Sequence, residues 1–405
     1  MTEILFALIF LTGLTILLAW ALQKARAQLL PSRPVVLTLN GQRRIDGQSN
    51  EKLLDLLNGA GVPVPSGCAG QGTCGLCRVS GVTGTQGPLA TETARLSPAD
   101  LRAGVRLACQ VTVRGDMAVN VPEDVLGSVS HICRVTSITS LTPLIREIAL
   151  ALPEGASFDF QAGNFVQVTA PTYRRAYSDI NQPAAFREEW ERLGILDLVA
   201  QSAAPVSRAY SVASRPQDEG LVVLNIRLAT PPPGNPDVPP GIVSSWLFGL
   251  KPGDVVEIAG PYGEFRVQDT EKEMVFIGGG VGMAPLRAMI HEQLSAGTGR
   301  QISFWYGARS KAELFYADEF EELARQHPNF RWTPALSQPA RGDDWQGATG
   351  FVHDVAYVSY LKDHSAPEDC EYYLCGPPLM IQAVRAVLDD CGVEPEDIHN
   401  DDFGI

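Results

Sequence analysis

The chain has 405 residues, 45% of them hydrophobic, and a net charge of −14. That length allows two or three packed domains, and the composition excludes a disordered or fibrous chain. Residues 34–125 carry 8 basic and 8 acidic side chains, whereas 126–405 carry 21 and 37, so the larger part is strongly acidic and repels nucleic acid.

The first predicted element is ILFALIFLTGLTILLAWAL (4–22), 19 residues without a charge. As a helix it spans about 28 Å, one bilayer core. Trp20 stands near its end, Lys24 and Arg26 follow, and only Glu3 precedes, so the positive side is C-terminal. That asymmetry predicts a transmembrane anchor over residues 1–26, with the N-terminus outside and the body in the cytoplasm. A signal peptide would need a basic leader and a shorter apolar run. After the linker LLPSRP (29–34), VVLTLN (35–40) and QRRIDG (42–47) read as a hairpin, and EKLLDLLNGAG (51–61) as a helix ended by glycine. A cysteine loop follows, and then RLACQVTVRGDMAVNVP (106–122) alternates as strands do. This order suits a ferredoxin-like α+β domain of β-grasp type over 34–125.

The cysteine loop is GCAGQGTCGLC (67–77), and a later cysteine lies in LACQ (107–110). Cys68, Cys74, Cys77 and Cys109 supply the four thiolates of a [2Fe–2S] cluster, and glycines let the loop wrap it with amides turned inward. Zinc is the alternative, but zinc sites usually pair two short-spaced knuckles, and here the second half has one cysteine. The eight cysteines, without a secretion signal, point to a reducing compartment.

From 130 to 270 the chain runs through short strands, CRVTSITSLT, REIALAL, FVQVTAP and VVLNIRL, as an antiparallel β-barrel does. Residues 172–205, with the helical REEWERLG (187–194), form an inserted excursion, and TPPPGNPDVPPG (230–241) a stiff loop. From 271 to 405, MVFIGGG, ISFWYGA and EYYLCGP alternate with the helices APLRAMIHEQL (284–294) and PLMIQAVRAVLDD (378–390), giving an α/β nucleotide-binding domain. The fold class is therefore multidomain: an N-terminal transmembrane helix, the ferredoxin-like domain, the barrel and the α/β domain.

RAYS occurs twice, at 175–178 and 208–211. Only the second precedes a turn and a strand; its basic residue, ring and hydroxyl suit a flavin. GIVSSWLFGL (241–250) starts a helix whose amides suit phosphate, although Ser244 is equally an ordinary helix cap. GPYGEF (260–265) adds a glycine turn. GGGVGMAPLR (278–287) follows a buried strand and opens a helix, as a dinucleotide phosphate loop does, with Ala284–Pro285 where a last glycine would stand. CGPP (375–378) ends a later strand at the same sheet edge; Cys375 either touches a nicotinamide or is a small buried apolar residue. The histidines 131, 291, 327, 353, 364 and 399 and Cys133, Cys370 and Cys391 show no metal spacing.

Together these motifs resemble the ferredoxin–NADP reductase superfamily over 130–405, and with the cysteine loop they resemble iron–sulfur flavoprotein reductases. The anchor, the excursion, the proline loop, WYGARS (305–310) and the ending DDFGI (401–405) make the whole chain similar to the NADH-oxidising subunits of bacterial sodium-translocating NADH:quinone oxidoreductases. The resemblance implies an enzyme with FAD and a [2Fe–2S] cluster, NADH as substrate, and electrons passed singly through the cluster to partner membrane subunits and quinone. It implies FAD contacts from Arg208 (pyrophosphate), Tyr210 and Ser211 (isoalloxazine), Asn225, Gly241, Ser244 and Ser245. Phe403 is implied as the aromatic that covers the flavin. NADH contacts are implied at Gly279, Gly280, Gly282, Pro285, Gly376 and Pro377, with Cys375 among the catalytic residues. Ser310 and Lys311 would accept a 2′-phosphate and Glu313 would discourage one, so NADH rests on the resemblance. It implies the bacterial inner membrane, spanned once, with the soluble domains in the cytoplasm. The rivals are a reductase component of a bacterial oxygenase, and a non-enzymatic iron–sulfur carrier fused to a nucleotide-binding module.

Overall fold

The computed structural model describes residues 10–20, 24, 32–68, 70–232, 234–235, 237–340, 342 and 344–401. They fall into two compact units, Met1–Val64 with Gly70–Leu126, and Pro65–Ala69 with Gly127–Ile405. Residues 10–20 are helical, and Phe10, Leu11, Leu14, Ile16, Leu17, Leu18 and Trp20 are exposed on that helix. Residues 1–9, 21–23 and 25–26 of the expected anchor lie outside the described residues. Among the described residues no helix is long and apolar enough to cross a membrane.

In the first unit β1 (Pro34–Leu39) and β2 (Arg43–Gln48) form the expected antiparallel hairpin. Their turn uses Asn40 and Gly41 at φ 47° and 70°, which these two residue types tolerate. Helix α1 (Leu53–Gly59) buries Leu53, Leu54, Leu56 and Leu57. A short ladder, β3 (Arg78–Val79) with β4 (Arg106–Leu107), and β5 (Met117–Val119), parallel to β1, complete it. The strand expected through 106–122 is therefore broken into β4 and β5. Residues 108–110 turn instead, Gln110 N–H donating to the Leu107 carbonyl at 2.8 Å.

In the second unit the barrel strands are β6 (Val129–Thr142), β7 (Ile145–Ala151) and β8 (Phe165–Ala170). β9 (Tyr173–Ala176), α2 (Ala184–Arg192) and β10 (Val199–Ser202) form the excursion, with β9 and β10 paired antiparallel. Its anchor is Trp190, fully buried, whose Nε1–H donates to the Pro143 carbonyl at 2.7 Å. β11 (Val206–Ser211), β12 (Leu221–Arg227), α3 (Ile242–Phe248) and β13 (Val255–Tyr262) follow. The antiparallel order is β11-β8-β13-β6-β7-β12, and a Val212–Leu224 bridge joins the two edges, closing the barrel.

The α/β layer contains β14 (Met274–Gly279), α4 (Met283–Ser295), β15 (Ile302–Ala308), α5 (Ala317–Gln326) and β16 (Phe330–Leu336). It continues with β17 (Ala348–Thr349), α6 (Val352–Ser359), β18 (Glu371–Cys375), α7 (Pro378–Asp390) and β19 (Ile398–Asp401). The sheet is parallel, in the order β17-β16-β15-β14-β18-β19. Strand order reverses between β14 and β18, which opens a crevice at their carboxyl ends.

Barrel and sheet meet through Ala149, Ala213 and Val223 against Ala284. Beside this contact Arg287 makes a two-pronged bond to Glu319 at 2.6 and 2.8 Å, and His291 Nε2 lies 2.7 Å from the same carboxylate. Burial pushes Glu319 up, but the bonds from His291 and Arg287 win and bring it from 4.5 to about 2. A depressed carboxyl stabilises the fold above its unfolded value and loses that contribution as pH falls through its folded value. Thermal midpoints of the full chain should therefore fall between pH 4.5 and about 2. Glu319→Gln should lower the midpoint at neutral pH and flatten this acid limb. An unchanged acid limb would remove Glu319 as its source.

Candidate functional site

The β3–β4 ladder sets two of the cysteines side by side, Ala108 N–H donating to the Cys77 carbonyl at 2.8 Å. Cys77 and Cys109 are each 1% exposed. Their mutual hydrogen bond, then burial, push the Cys77 thiol far above its usual range, and Cys74 adds to the effect. Buried thiols in contact ionise together only around a cation, which is the chemistry of a metal-sulfur centre. Gly70, Gly72 and Gly75 hold φ of 81°, 79° and 71°, the left-handed turns the loop needs. Gln110 Nε2 spans the site, donating to the Gly70 carbonyl at 3.1 Å and to Cys109 Sγ at 3.3 Å. A buried ion pair missed in the sequence frames it: Arg106 to Glu92 at 2.8 Å through both prongs, with Leu107 N–H also donating to Glu92. Cys68 stands at the beginning of the loop, in the segment Pro65–Ala69 that groups with the second unit.

In the second unit β11 carries the second RAYS. Alternation puts Arg208 and Tyr210 on one face and Ser211 on the other. Arg208 Nη1 donates to the Ser207 carbonyl at 2.8 Å, and burial holds the Tyr210 phenol well above its usual pKa. Ser211 is buried and donates to Asp401 Oδ2 at 3.3 Å, a partner on β19 that sequence reasoning did not find. The Val212–Leu224 bridge makes Asn225 the cross-strand neighbour of Ser211. Asn225 is 4% exposed, and among the described residues its Oδ1 has no hydrogen-bond partner. An orphaned acceptor at this edge fits a ligand that supplies a donor.

The first RAYS is consumed by packing. Arg175 bonds the Gly249 carbonyl, Tyr177 is fully buried against Trp190 and bonds Ser245 Oγ at 2.6 Å, and Ser178 is exposed. At the start of α3, Ser244 and Ser245 both donate to the Gly241 carbonyl, at 3.2 and 2.5 Å, so their hydroxyls already serve the turn. A Cβ on Gly241 would come 2.6 Å from that of Ala229.

At the β14–β18 crevice a cleft of about 630 Å³ is lined by Gly279, Gly280, Tyr306, Glu313, Pro377 and Met380 among others, with the exposed side chains of Phe351 and Leu379 at its wall. Gly280 takes φ 56° and has open space where a Cβ would point. A Cβ on Gly282 would lie 2.0 Å from the Cys375 carbonyl oxygen, so only glycine permits this approach. Pro285 is buried in the first turn of α4, and Tyr306 OH donates to the Gly280 carbonyl at 2.9 Å. Cys375 is fully buried at the end of β18, in register with Gly278. Glu313 pairs with Arg309, and Lys311 with Asp344 at 2.5 Å. Phe403 lies outside the described residues.

At the start of the same strands, ligand atoms of Glu273, His364 and Cys370 come within 4.8 Å of one another, a grouping their spacing did not reveal. His364 Nδ1 accepts from Ala366 N–H at 3.2 Å, which leaves the ring proton on Nε2, 3.3 Å from Glu273 Oε2. Burial and Glu273 push the Cys370 thiol up to about 12. The three are joined by hydrogen-bond contacts, Cys370 Sγ lying 3.9 Å from His364 Nε2.

Three family models match: a 2Fe-2S iron-sulfur cluster binding domain over 37–114, an oxidoreductase FAD-binding domain over 194–267 and an oxidoreductase NAD-binding domain over 276–386. The Na(+)-translocating NADH-quinone reductase F subunit of a Neisseria meningitidis serogroup C strain is 45% identical over 403 residues, covering 99% of this chain and 100% of that protein. That of Klebsiella pneumoniae is 45% identical over 405 residues, with the same coverage. Among solved structures, the Amycolatopsis cytochrome P450 reductase GcoB aligns with a TM-score of 0.63 at 26% identity, covering 91% of this chain and 98% of that one. A ferredoxin reductase in carbazole 1,9a-dioxygenase aligns with a TM-score of 0.59 at 22% identity, over 92% and 99%, and shares the fold.

Proposed function

Because the chain belongs to the family of Na(+)-translocating NADH-quinone reductase F subunits, we infer that it is the NADH-oxidising, electron-input subunit of such a complex. The carrying observation is the conjunction, within one unit, of the glycine-lined crevice at β14–β18 and the Ser211–Asn225 barrel edge, on a chain that also carries a 2Fe-2S domain. FAD, when bound, would supply the conversion between the hydride of NADH and the single electrons a [2Fe–2S] cluster accepts.

The chain's own residues bind and orient. Arg208 offsets pyrophosphate charge, Tyr210 offers its ring to the isoalloxazine, and Ser211 sets a hydroxyl at the flavin edge. Gly241, Ser244 and Ser245 shape the turn beside the FAD phosphates. Gly279, Gly280, Gly282 and Pro285 let backbone approach the NADH phosphates, while Cys375, Gly376 and Pro377 close the nicotinamide end. By the family resemblance, Phe403 would be the aromatic that covers the flavin. Cys68, Cys74, Cys77 and Cys109 hold the cluster. Electrons pass to partner membrane subunits and through them to quinone. One helix cannot line a sodium path, so translocation belongs to the partners.

Residues 1–26 anchor the chain once in the bacterial inner membrane, with the other domains cytoplasmic. The exposed apolar side chains of residues 10–20 support this. Deleting 1–26 should give a protein that stays in the supernatant and still oxidises NADH with artificial acceptors. If the truncated protein folds and carries FAD but NADH cannot reduce it, the anchor has a role in the chemistry. The reading as a whole is tested by the visible spectrum of the purified chain before and after NADH. Bleaching of flavin and cluster bands supports it, and a flavin-free protein would favour the carrier reading.

A further inference from the structure

Glu147, Asn225 and Ser211 stand in one row across β7, β12 and β11: Asn225 pairs with Glu147, and the Val212–Leu224 bridge brings Ser211 to its other side. Cross-strand neighbours share a face, so the row is continuous. Tyr316 reaches onto it from the α/β layer, held at φ 59°, a left-handed conformation rare for a side chain of this size. Its hydroxyl lies 2.8 Å from Asn225 Nδ2 and 2.5 Å from Glu147 Oε2. The Arg287 guanidinium covers the ring at 4.3 Å and donates to the Ala213 carbonyl at 2.9 Å, just beyond Ser211.

The directions of these bonds are forced. A carboxylate only accepts, so the single Tyr316 hydroxyl hydrogen goes to Glu147. The Tyr316 oxygen is then left to accept, and Asn225 must turn its NH₂ towards it. The amide oxygen therefore faces the other way, where it is buried without a partner among the described residues. Burial pushes the Tyr316 phenol far above its usual pKa, which keeps its proton in place.

We propose that Tyr316 and Glu147 are positioning residues that fix the Asn225 amide so that its oxygen receives a hydrogen bond from the bound flavin. The seat of the flavin is thereby tied to the nucleotide-binding layer. The proposal rests on the reading of the Ser211–Asn225 edge as the FAD site. The donor is a flavin ring N–H or a ribityl O–H.

Glu147→Met is the decisive variant because it keeps the length of the side chain and removes the acceptor. The Tyr316 hydrogen is then left with the Asn225 oxygen as its acceptor, which flips NH₂ towards the flavin. The full chain is stripped of FAD, and FAD affinity is measured by fluorescence quenching, with flavin circular dichroism as a second readout. Glu147→Met and Tyr316→Phe should each weaken FAD binding about tenfold, the loss of one hydrogen bond of ~1.4 kcal/mol, and alter the flavin dichroism. A purely structural link would leave FAD affinity in Glu147→Met unchanged, and that result overturns the proposal. Should Tyr316→Phe not fold, Glu147→Met alone decides. N3-methyl-FAD separates the donors: a deficit that persists with it assigns the ribityl group, and one that vanishes assigns the ring N–H. If the unaltered chain neither binds FAD nor is reduced by NADH, the functional reading itself fails, and the variants are not at issue.

Discussion

Cys74→Ala should abolish the iron–sulfur signal and leave FAD in place. Cys74 acts on Cys77 in a thiol group packed with Cys109, all three in the first unit. A cluster short of one of its four thiolates should not assemble, whereas Arg208, Ser211 and Asn225 belong to the second unit. Cluster absorption and iron content should be lost, flavin content should match the unaltered protein, and NADH should still bleach the flavin. Quinone reduction by the assembled complex should stop, because the electrons have no single-electron exit. A folded Cys74→Ala protein that has lost its FAD would show that the two sites do not assemble independently.

Ser211→Ala should slow flavin reduction by NADH by about ten- to a hundredfold, the loss of one transition-state hydrogen bond of about 1.4–2.7 kcal/mol. Ser211 is buried, bonded to Asp401 and beside Asn225, so its hydroxyl is held in one place. Preorganisation of this kind stabilises the transition state without reorganising at the moment of transfer. Ser178, in the other RAYS, is exposed, and Ser178→Ala should leave the rate unchanged. Stopped-flow bleaching at saturating NADH, with FAD content measured first, compares the two. A slow Ser178 variant beside a normal Ser211 variant would move the flavin to the other strand.

The sequence by itself determined what depends on near neighbours along the chain. The spacing of Cys68, Cys74 and Cys77 among glycines, with Cys109 following, announced a thiolate-held centre. The glycine run between a buried strand and a helix announced a close backbone approach, and a Cβ on Gly282 would lie 2.0 Å from the Cys375 carbonyl oxygen. Helix 378–390 carried its own apolar period, and the structure has Pro378–Asp390. The alternation through 106–122 misled, because Gln110 turns back to the cysteine loop and the ladder ends there.

Only the tertiary structure decided which residues meet across the sheets. It placed Tyr177 in the packing of the excursion, which separates the two RAYS copies. It brought Asp401 to Ser211 across 190 positions and Tyr316 to Glu147 across 169. Such partners are single side chains with no period to announce them. Their meeting follows from barrel closure at Val212–Leu224 and from the packing of the α/β layer on that face, both non-local events.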